Sequence, residues 1–374
     1  MFQAMSLNPQ LCRIHQRSYC HLVGNATAGL YLAIKALGLR GKQVAIPNSV
    51  CPNVPLAVLL SGNTPLYLDI SEKNLGIDVN ELKSNTDSID AVIAVHAYGS
   101  VCDISAISDF CRSRGIPLIE DIAVAQGAQS NGRPVGGFSD IAVVSFGAGK
   151  IIDVGHGGAV LTDDPLILKE VIAHEATFSD CHASDKNAIG AFGQYHTKLY
   201  NEHYGPNINA FSSSFKKRAL ELRKHILYKF DYAYEQIIEE QLEHLDSIID
   251  SRRCKAETLE RLLTQTSNIR LFHPPAGSVH WRFNLFIDNR DNLLKLLLAK
   301  KFKISSWFPS ADFFFEDRAL SGINTVVSDG VGDRILNLWV NEEVNLDYIR
   351  AISSEIIAYT AHASYQNVKL NVTK

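Results

Sequence analysis

Three short apolar runs, each closing on a polar residue, constrain this chain more than anything else in it. They are Ala91-Val92-Ile93-Ala94-Val95 before His96, Ile116-Pro117-Leu118-Ile119 before Glu120-Asp121, and Ile141-Ala142-Val143-Val144 before Ser145. Runs without alternation mark strands buried on both faces, and such strands belong to parallel sheets covered by helices. In an open sheet of that kind, ligands sit outside the carboxyl ends of the strands. The polar residues at these three ends, with Lys150 in the loop after Ser145, therefore converge on one crevice.

The flanking segments fit the same architecture. After an irregular start, Ala26 to Leu39 has a helical face in Leu30, Ile34 and Leu37, with Gly38 as its stop signal. Val44-Ala45-Ile46-Pro47 and Pro65-Leu66-Tyr67-Leu68-Asp69 read as strands, Pro52 to Leu60 and Ile104 to Arg114 as helices. The alternation predicts an α/β fold with a mostly parallel, doubly covered sheet. Gly155 to Gly158 leads into a further strand, Ala159 to Thr162, and a helix from Asp164 to about His174. Periodicity then fails from Ala176 to about Phe215, leaving two readings: an arm toward substrate or a second subunit, or a surface insertion. Helical patterning resumes near Lys216 and runs through Leu242, Leu245, Ile248, Leu259 and Leu263. The C-terminal part carries strands at Trp281 to Ile287 and Ile335 to Val340 and helices at Arg290 to Lys300 and Leu346 to Ala361. We expect a large domain over 1–230, a bridging helical stretch over 231–265 and a small C-terminal α/β domain over 266–374.

At 374 residues the chain exceeds one ordinary core. With 46% hydrophobic and 20% charged residues it has the composition of a globular protein, and no apolar run approaches the length a membrane helix needs. Cytoplasmic residence, with no membrane partner, is the expectation. A formal net charge of −4 and only short basic clusters argue against nucleic acid as a partner. Seven cysteines without C-x-x-C spacing fit a reducing compartment. Cys181 and His182, near His174 and His196, match no zinc spacing, so no metal is expected.

A carboxylate, a hydroxyl and a lysine at neighbouring strand ends suit pyridoxal 5′-phosphate (PLP), which needs a lysine for its Schiff base and an acid for its pyridinium nitrogen. Alone, Lys150 in Ser145-Phe146-Gly147-Ala148-Gly149-Lys150 would be a solvated loop residue, and Asp121 would be a helix cap. Together they are candidate catalytic groups. The phosphate is expected at the helix start Gly24-Asn25-Ala26-Thr27-Ala28-Gly29, on the main-chain N–H groups of Thr27 and Ala28 and the Thr27 hydroxyl, with Ser145 opposite. Arg282 has the planar fork that grips a carboxylate or phosphate, although a lone arginine on a strand is more often a surface or interface residue.

Taken together these motifs resemble the DegT/DnrJ/StrS sugar aminotransferases, which have the PLP-transferase fold type I. Gly24 to Leu30 is similar to the family's phosphate-binding region, Val95-His96-Ala97-Tyr98-Gly99 to its Val-His-Leu-Tyr-Gly, and Glu120-Asp121-Ile122-Ala123 to its Glu-Asp-Ala-Ala. Ser145-Phe146 followed by Lys150 resembles Ser-Phe-x-x-x-Lys, and Gln241 to Asp246 resembles the long-helix signature. Four positions depart from the pattern. Cys51 stands where an aromatic residue usually covers the cofactor ring, and Val124 where a polar residue meets its phenolic oxygen. Leu227 replaces the Asn that reaches a neighbouring subunit's phosphate, and His156 replaces a Glu. The resemblance implies a homodimer with shared active sites that transfers an amino group from an amino acid, glutamate foremost, to a nucleotide-linked keto sugar. Lys150, Asp121, Ser145, Thr27, Ala28, Cys51 and Val124 would surround the cofactor. The departures leave open a PLP enzyme of another reaction type (dehydration, elimination or condensation) and a scaffold without chemistry.

Overall fold

The computed structural model describes residues 7–182, 184, 187, 188, 190, 191, 194 and 209–372. The segment expected to be irregular, 176–215, lies largely outside them, and its end from Asn209 begins a helix, Asn209–Glu221.

A seven-stranded sheet forms the larger half. Its strands are β1 (Tyr19–Val23), β2 (Gln43–Pro47), β3 (Thr64–Leu68), β4 (Ala91–Val95), β5 (Leu118–Asp121), β8 (Ile141–Ser145) and β9 (Gly158–Thr162), with a small hairpin of β6 (Gln129–Ser130) and β7 (Arg133–Pro134) outside it. The order across the sheet is β1-β9-β8-β5-β4-β2-β3. β3, β2, β4, β5 and β8 pair in parallel, and β9 runs antiparallel to both β8 and β1. The start expected to be irregular is a helix, α1 (Leu7–His15), followed by β1 on the sheet edge. Its buried face mixes apolar Leu7, Leu11 and half-buried Ile14 with polar Gln10 and His15, too short and mixed a run to stand out as a period in the sequence.

The three apolar runs form buried strands, with Ile116 and Pro117 half-buried just before the second, and their side chains divide by parity. Val92, Ala94, Leu118, Ala142 and Val144 belong to one apolar cluster; Ala91, Ile93, Val95, Ile119, Ile141 and Val143 belong to the other. Each large side chain so buried stabilises the fold by roughly 1.5–3 kcal/mol, which is why the runs carry no polar residue on either face. On the second face lies α2 (Ala26–Ala36), drawn so close that a Cβ on Gly29 would come 2.9 Å from Val143. That approach holds the start of α2 beside the carboxyl ends of the strands.

A second sheet, order β10-β11-β13-β12, is antiparallel throughout: β10 (Ile269–Leu271), β11 (Phe283–Ile287), β12 (Ile304–Ser305) and β13 (Ile335–Leu338). It shares a separate apolar cluster with the helices Leu245–Leu263, Arg290–Ala299 and the N-terminal part of Leu346–Val372. Among the described residues no helix is long and apolar enough to cross a membrane.

Candidate active site

The carboxyl ends of β5 and β8 and the start of α2 surround a cavity of about 420 Å³, lined by Asn25, Ala26, Thr27, Cys51, Asp121, Ala123, Ser145, Lys150, His156 and Tyr228, among others. Five of the residues expected at the site, Thr27, Cys51, Asp121, Ser145 and Lys150, meet here. Two do not line it. Ala28 is fully buried, and its N–H donates to the Asn25 side chain at 2.9 Å, so Asn25 caps α2 and holds the donor that had been assigned to the phosphate. Val124 is buried against the opposite apolar cluster, and its neighbour Ala123 lines the cavity instead. Leu227 is buried between Ile226 and Tyr228, both of which do line it.

Asp121 is 6% exposed and accepts the Ala123 N–H at 2.9 Å. Burial pushes its carboxyl above the usual carboxylate range, against the pull of the Ala123 N–H, Lys150 and His96. A desolvated carboxylate of this kind is stabilised by a cation placed against it. Ser145, 5% exposed, accepts the Gly147 N–H at 3.3 Å. Burial also raises the Cys51 thiol, opposed by Lys150, so Cys51 is a neutral sulfur beside the amine. His156 stacks on Tyr234 at 4.5 Å and Tyr228 at 5.6 Å between ring centroids.

The loop carrying Lys150 is clamped from three directions. The Gly149 N–H donates to Asp153 at 2.7 Å, the Trp281 indole N–H donates to the Gly149 carbonyl at 2.5 Å, and Arg252 donates to the Lys150 carbonyl at 3.3 Å. None of these clamps was expected. Arg252 had a signal: it falls on the helical face of Leu245, Ile249, Ala256, Leu259 and Leu263, where a charge is out of place unless something receives it. Trp281 and Asp153 carried no spacing that pointed to the loop. His96 lies behind Asp121 and pairs with Glu120 at 3.2 Å, both fully buried, which makes it part of the framework.

These groups fit PLP on three counts. A lysine lines the cavity, a buried carboxylate short of positive charge stands ready for a ring nitrogen, and the first N–H groups of α2, at Ala26 and Thr27, have no acceptor within their own helix.

Comparison with known proteins agrees. Residues 3–356 match the DegT/DnrJ/EryC1/StrS aminotransferase family. The chain belongs to that family. Its members' cofactor is PLP. The GDP-perosamine synthase of Vibrio cholerae is 35% identical over 152 residues, 40% of this chain and 41% of that protein. The L-glutamine:2-deoxy-scyllo-inosose aminotransferase of Streptomyces kanamyceticus is 28% identical over 252 residues, 67% of this chain and 53% of that protein. The chain thus matches about two fifths to half of the length of these curated relatives. In structure, DesI solved in the presence of its TDP-sugar product superposes with a TM-score of 0.75 at 20% identity, covering 97% of this chain and 86% of that one. The fold is therefore that of the PLP aminotransferases: α/β as the strand pattern led us to expect, and of type I as the family resemblance implied.

Proposed function

We propose that the chain is a PLP-dependent aminotransferase moving an amino group from an amino acid, glutamate foremost, to a keto sugar carried on a nucleotide. The observation that supports it best is the meeting of Lys150, Asp121 and Ser145 with the start of α2 around one cavity. Ala26 and Thr27 main-chain groups, the Thr27 hydroxyl and Ser145 would hold the phosphate, Asp121 would keep a proton on the ring nitrogen, and Cys51 would cover the ring. Bound there, the cofactor supplies an electron sink for charge developing at the substrate carbon. Lys150 would anchor the cofactor, and its free amine would move the proton at that carbon as general base and acid. The clamped Gly149-Lys150 backbone keeps the amine's origin fixed while its side chain does this.

A homodimer with shared active sites and cytoplasmic residence belong to the same reading. So do the division into 1–230, 231–265 and 266–374, and a role for the 176–215 segment at the substrate or dimer face. The family membership and the sugar and cyclitol chemistry in the relatives' names support the substrate class.

An absorbance spectrum tests the proposal. Protein loaded with PLP should show a near-visible band that borohydride erases and that Lys150→Ala lacks; failure to take up PLP would end this reading. Glutamate should then convert the cofactor to its pyridoxamine form. A loaded enzyme inert to every amino donor, yet active on a sugar, would instead favour dehydration or another PLP reaction.

A further inference from the structure

Arg282, which in sequence reads first as a surface or interface residue, is instead 5% exposed. Its guanidinium lies between two indoles, 4.5 Å from the Trp281 ring centroid and 4.0 Å from that of Trp339. Among the described residues it donates to one neutral acceptor, the Trp281 carbonyl at 2.8 Å, and its buried Nε has no hydrogen-bond partner. The three carboxylates whose charge it feels, Glu343, Asp153 and Glu342, are engaged elsewhere. Glu342 pairs with Arg252 at 2.9 Å, Glu343 with Lys303 at 2.6 Å, and Asp153 accepts the Gly149 N–H.

A desolvated cation without a matching anion is costly, and the cost falls when an anion arrives. Burial, reinforced by the Arg252 charge, accordingly pulls the Arg282 pKa down to about 9. The guanidinium is also close to the chemistry. Gly149, with φ of +76°, immediately precedes Lys150, and a Cβ there would lie 3.6 Å from Arg282 Nη2. The same Trp281 that covers one face of Arg282 holds the Gly149 carbonyl. An amino-acid donor presents its amine and its carboxylate on one carbon, so a donor whose amine meets Lys150 needs a carboxylate receptor within a few ångströms of that loop. A nucleotide's phosphates, separated from the reacting carbon by a sugar ring, do not.

We propose that Arg282 is a specificity-determining residue that receives the carboxylate of the amino-acid donor, a role that rests on the aminotransferase reading. The two tryptophans fix the plane of the fork, so a carboxylate meets it edge-on with two parallel hydrogen bonds.

The chain has only three tryptophans, Trp281, Trp307 and Trp339, and two of them flank the guanidinium. Indole fluorescence of the PLP-loaded enzyme is therefore a direct reporter. Glutarate, a dicarboxylate without an amine, should give a saturable change in the wild type. The glutarate affinity should fall about 10-fold or more in Arg282→Met, the loss expected for charged hydrogen bonds. In the half-reaction, Arg282→Met should raise the KM for glutamate by a similar factor while leaving kcat, and the rate with a simple primary amine donor, near wild type. Arg282→Lys keeps the charge and loses the fork, so it should also bind glutarate more weakly, and it carries the test if the Met variant does not fold. Unchanged glutarate affinity in either folded variant overturns the proposal. So does a loss confined to titrations with inorganic phosphate or a nucleoside diphosphate, which would assign the fork to phosphate. If glutarate binds through Arg282 but no amino donor reacts, the aminotransferase reading fails and the carboxylate subsite stands.

Discussion

On one side of β5, the Glu120 carboxylate accepts the N–H groups of Gly136 and Phe138, each at 2.8 Å, and meets His96 at 3.2 Å. On the other side, one residue along, Asp121 accepts the Ala123 N–H and faces a cavity. Both carboxylates are buried, yet their acidities move in opposite directions. Burial works to raise both. For Glu120 it is outweighed by His96 and the two amides, and the net shift is downward; for Asp121 it prevails. His96 shifts in the matching sense: burial opposes its charge, but Cys102 and Glu120 outweigh burial and push it up to about 10. One strand thus carries a carboxylate whose hydrogen bonds are complete on its framework face and a carboxylate short of partners on its functional face. A buried carboxylate left short of positive charge is a place for a ligand to supply it.

The largest expected effect breaks the framework side. Glu120→Ala would strand the His96 ring and two buried N–H groups, costing about 3–5 kcal/mol of stability. Urea unfolding of the cofactor-free protein measures it, and a loss under 1 kcal/mol would mean that the two sides are not different in kind. Asp121→Ala should do the reverse. The cofactor-free protein should keep its stability, since a poorly solvated carboxylate is being removed, while the loaded enzyme's rate should fall about 100-fold or more, as when a preorganised electrostatic contact is deleted. A rate within tenfold of wild type would detach Asp121 from the chemistry.

How much of this was legible depends on whether the signal was local. The strand ends could be read because burial on both faces forbids polar residues inside the runs, so Asp121 and Ser145 stood out by position alone. The first helix and strand could not, because α1 is short and buries polar Gln10 and His15 beside its apolar residues, and β1 is an edge strand with a partly exposed start. Ala28 was assigned to the phosphate because the sequence shows an N–H at a helix start but not which side chain will cap it. Val124 was placed at the cofactor because it aligns with the family's polar residue there, yet the chain turns after β5 and carries it into the core. Arg252 was visible as a charge on an apolar face, whereas the contact between Trp281 and Gly149 spans 132 positions and left no local trace.

A smaller effect sharpens the framework side through pH. His15, on α1, donates Nδ1–H to the Val135 carbonyl at 3.0 Å, and among the described residues its buried Nε2 has no partner. Burial lowers its pKa to about 4, with only partial compensation from the Val135 carbonyl. The unfolded chain, with an ordinary histidine pKa near 6.5, therefore binds more protons than the native protein between those values. The contribution of His15 to stability is complete above about pH 6.5 and is lost as pH falls toward 4, amounting to about 2 kcal/mol at pH 5. Comparing wild type with His15→Gln at pH 7.5 and pH 5 isolates it: the variant should lose less stability on acidification. An equal loss in both would show that His15 charges without penalty.

The smallest effect tests where the functional side ends, at the cap of α2. Asn25 does two things there: its Oδ1 accepts the Ala28 N–H at 2.9 Å and its Nδ2 donates to the Ile226 carbonyl at 2.8 Å. Asn25→Ala removes both and should cost about 1 kcal/mol of stability, the usual loss for a deleted cap. It should leave PLP affinity nearly unchanged, because Ala26 and Thr27 keep their N–H groups. Asn25→Asp keeps the cap and favours the helix dipole, so the cofactor-free protein should hold its stability to within about 0.5 kcal/mol. Its added negative charge, however, would lie beside the phosphate and weaken PLP binding severalfold at low salt, with partial recovery as salt screens the repulsion. The two variants thus separate what a cap does for a helix from what a helix start does for an anion. If Asn25→Asp binds PLP as tightly as the wild type at every ionic strength, the phosphate is not held at the start of α2, and the functional side of β5 ends at Ser145.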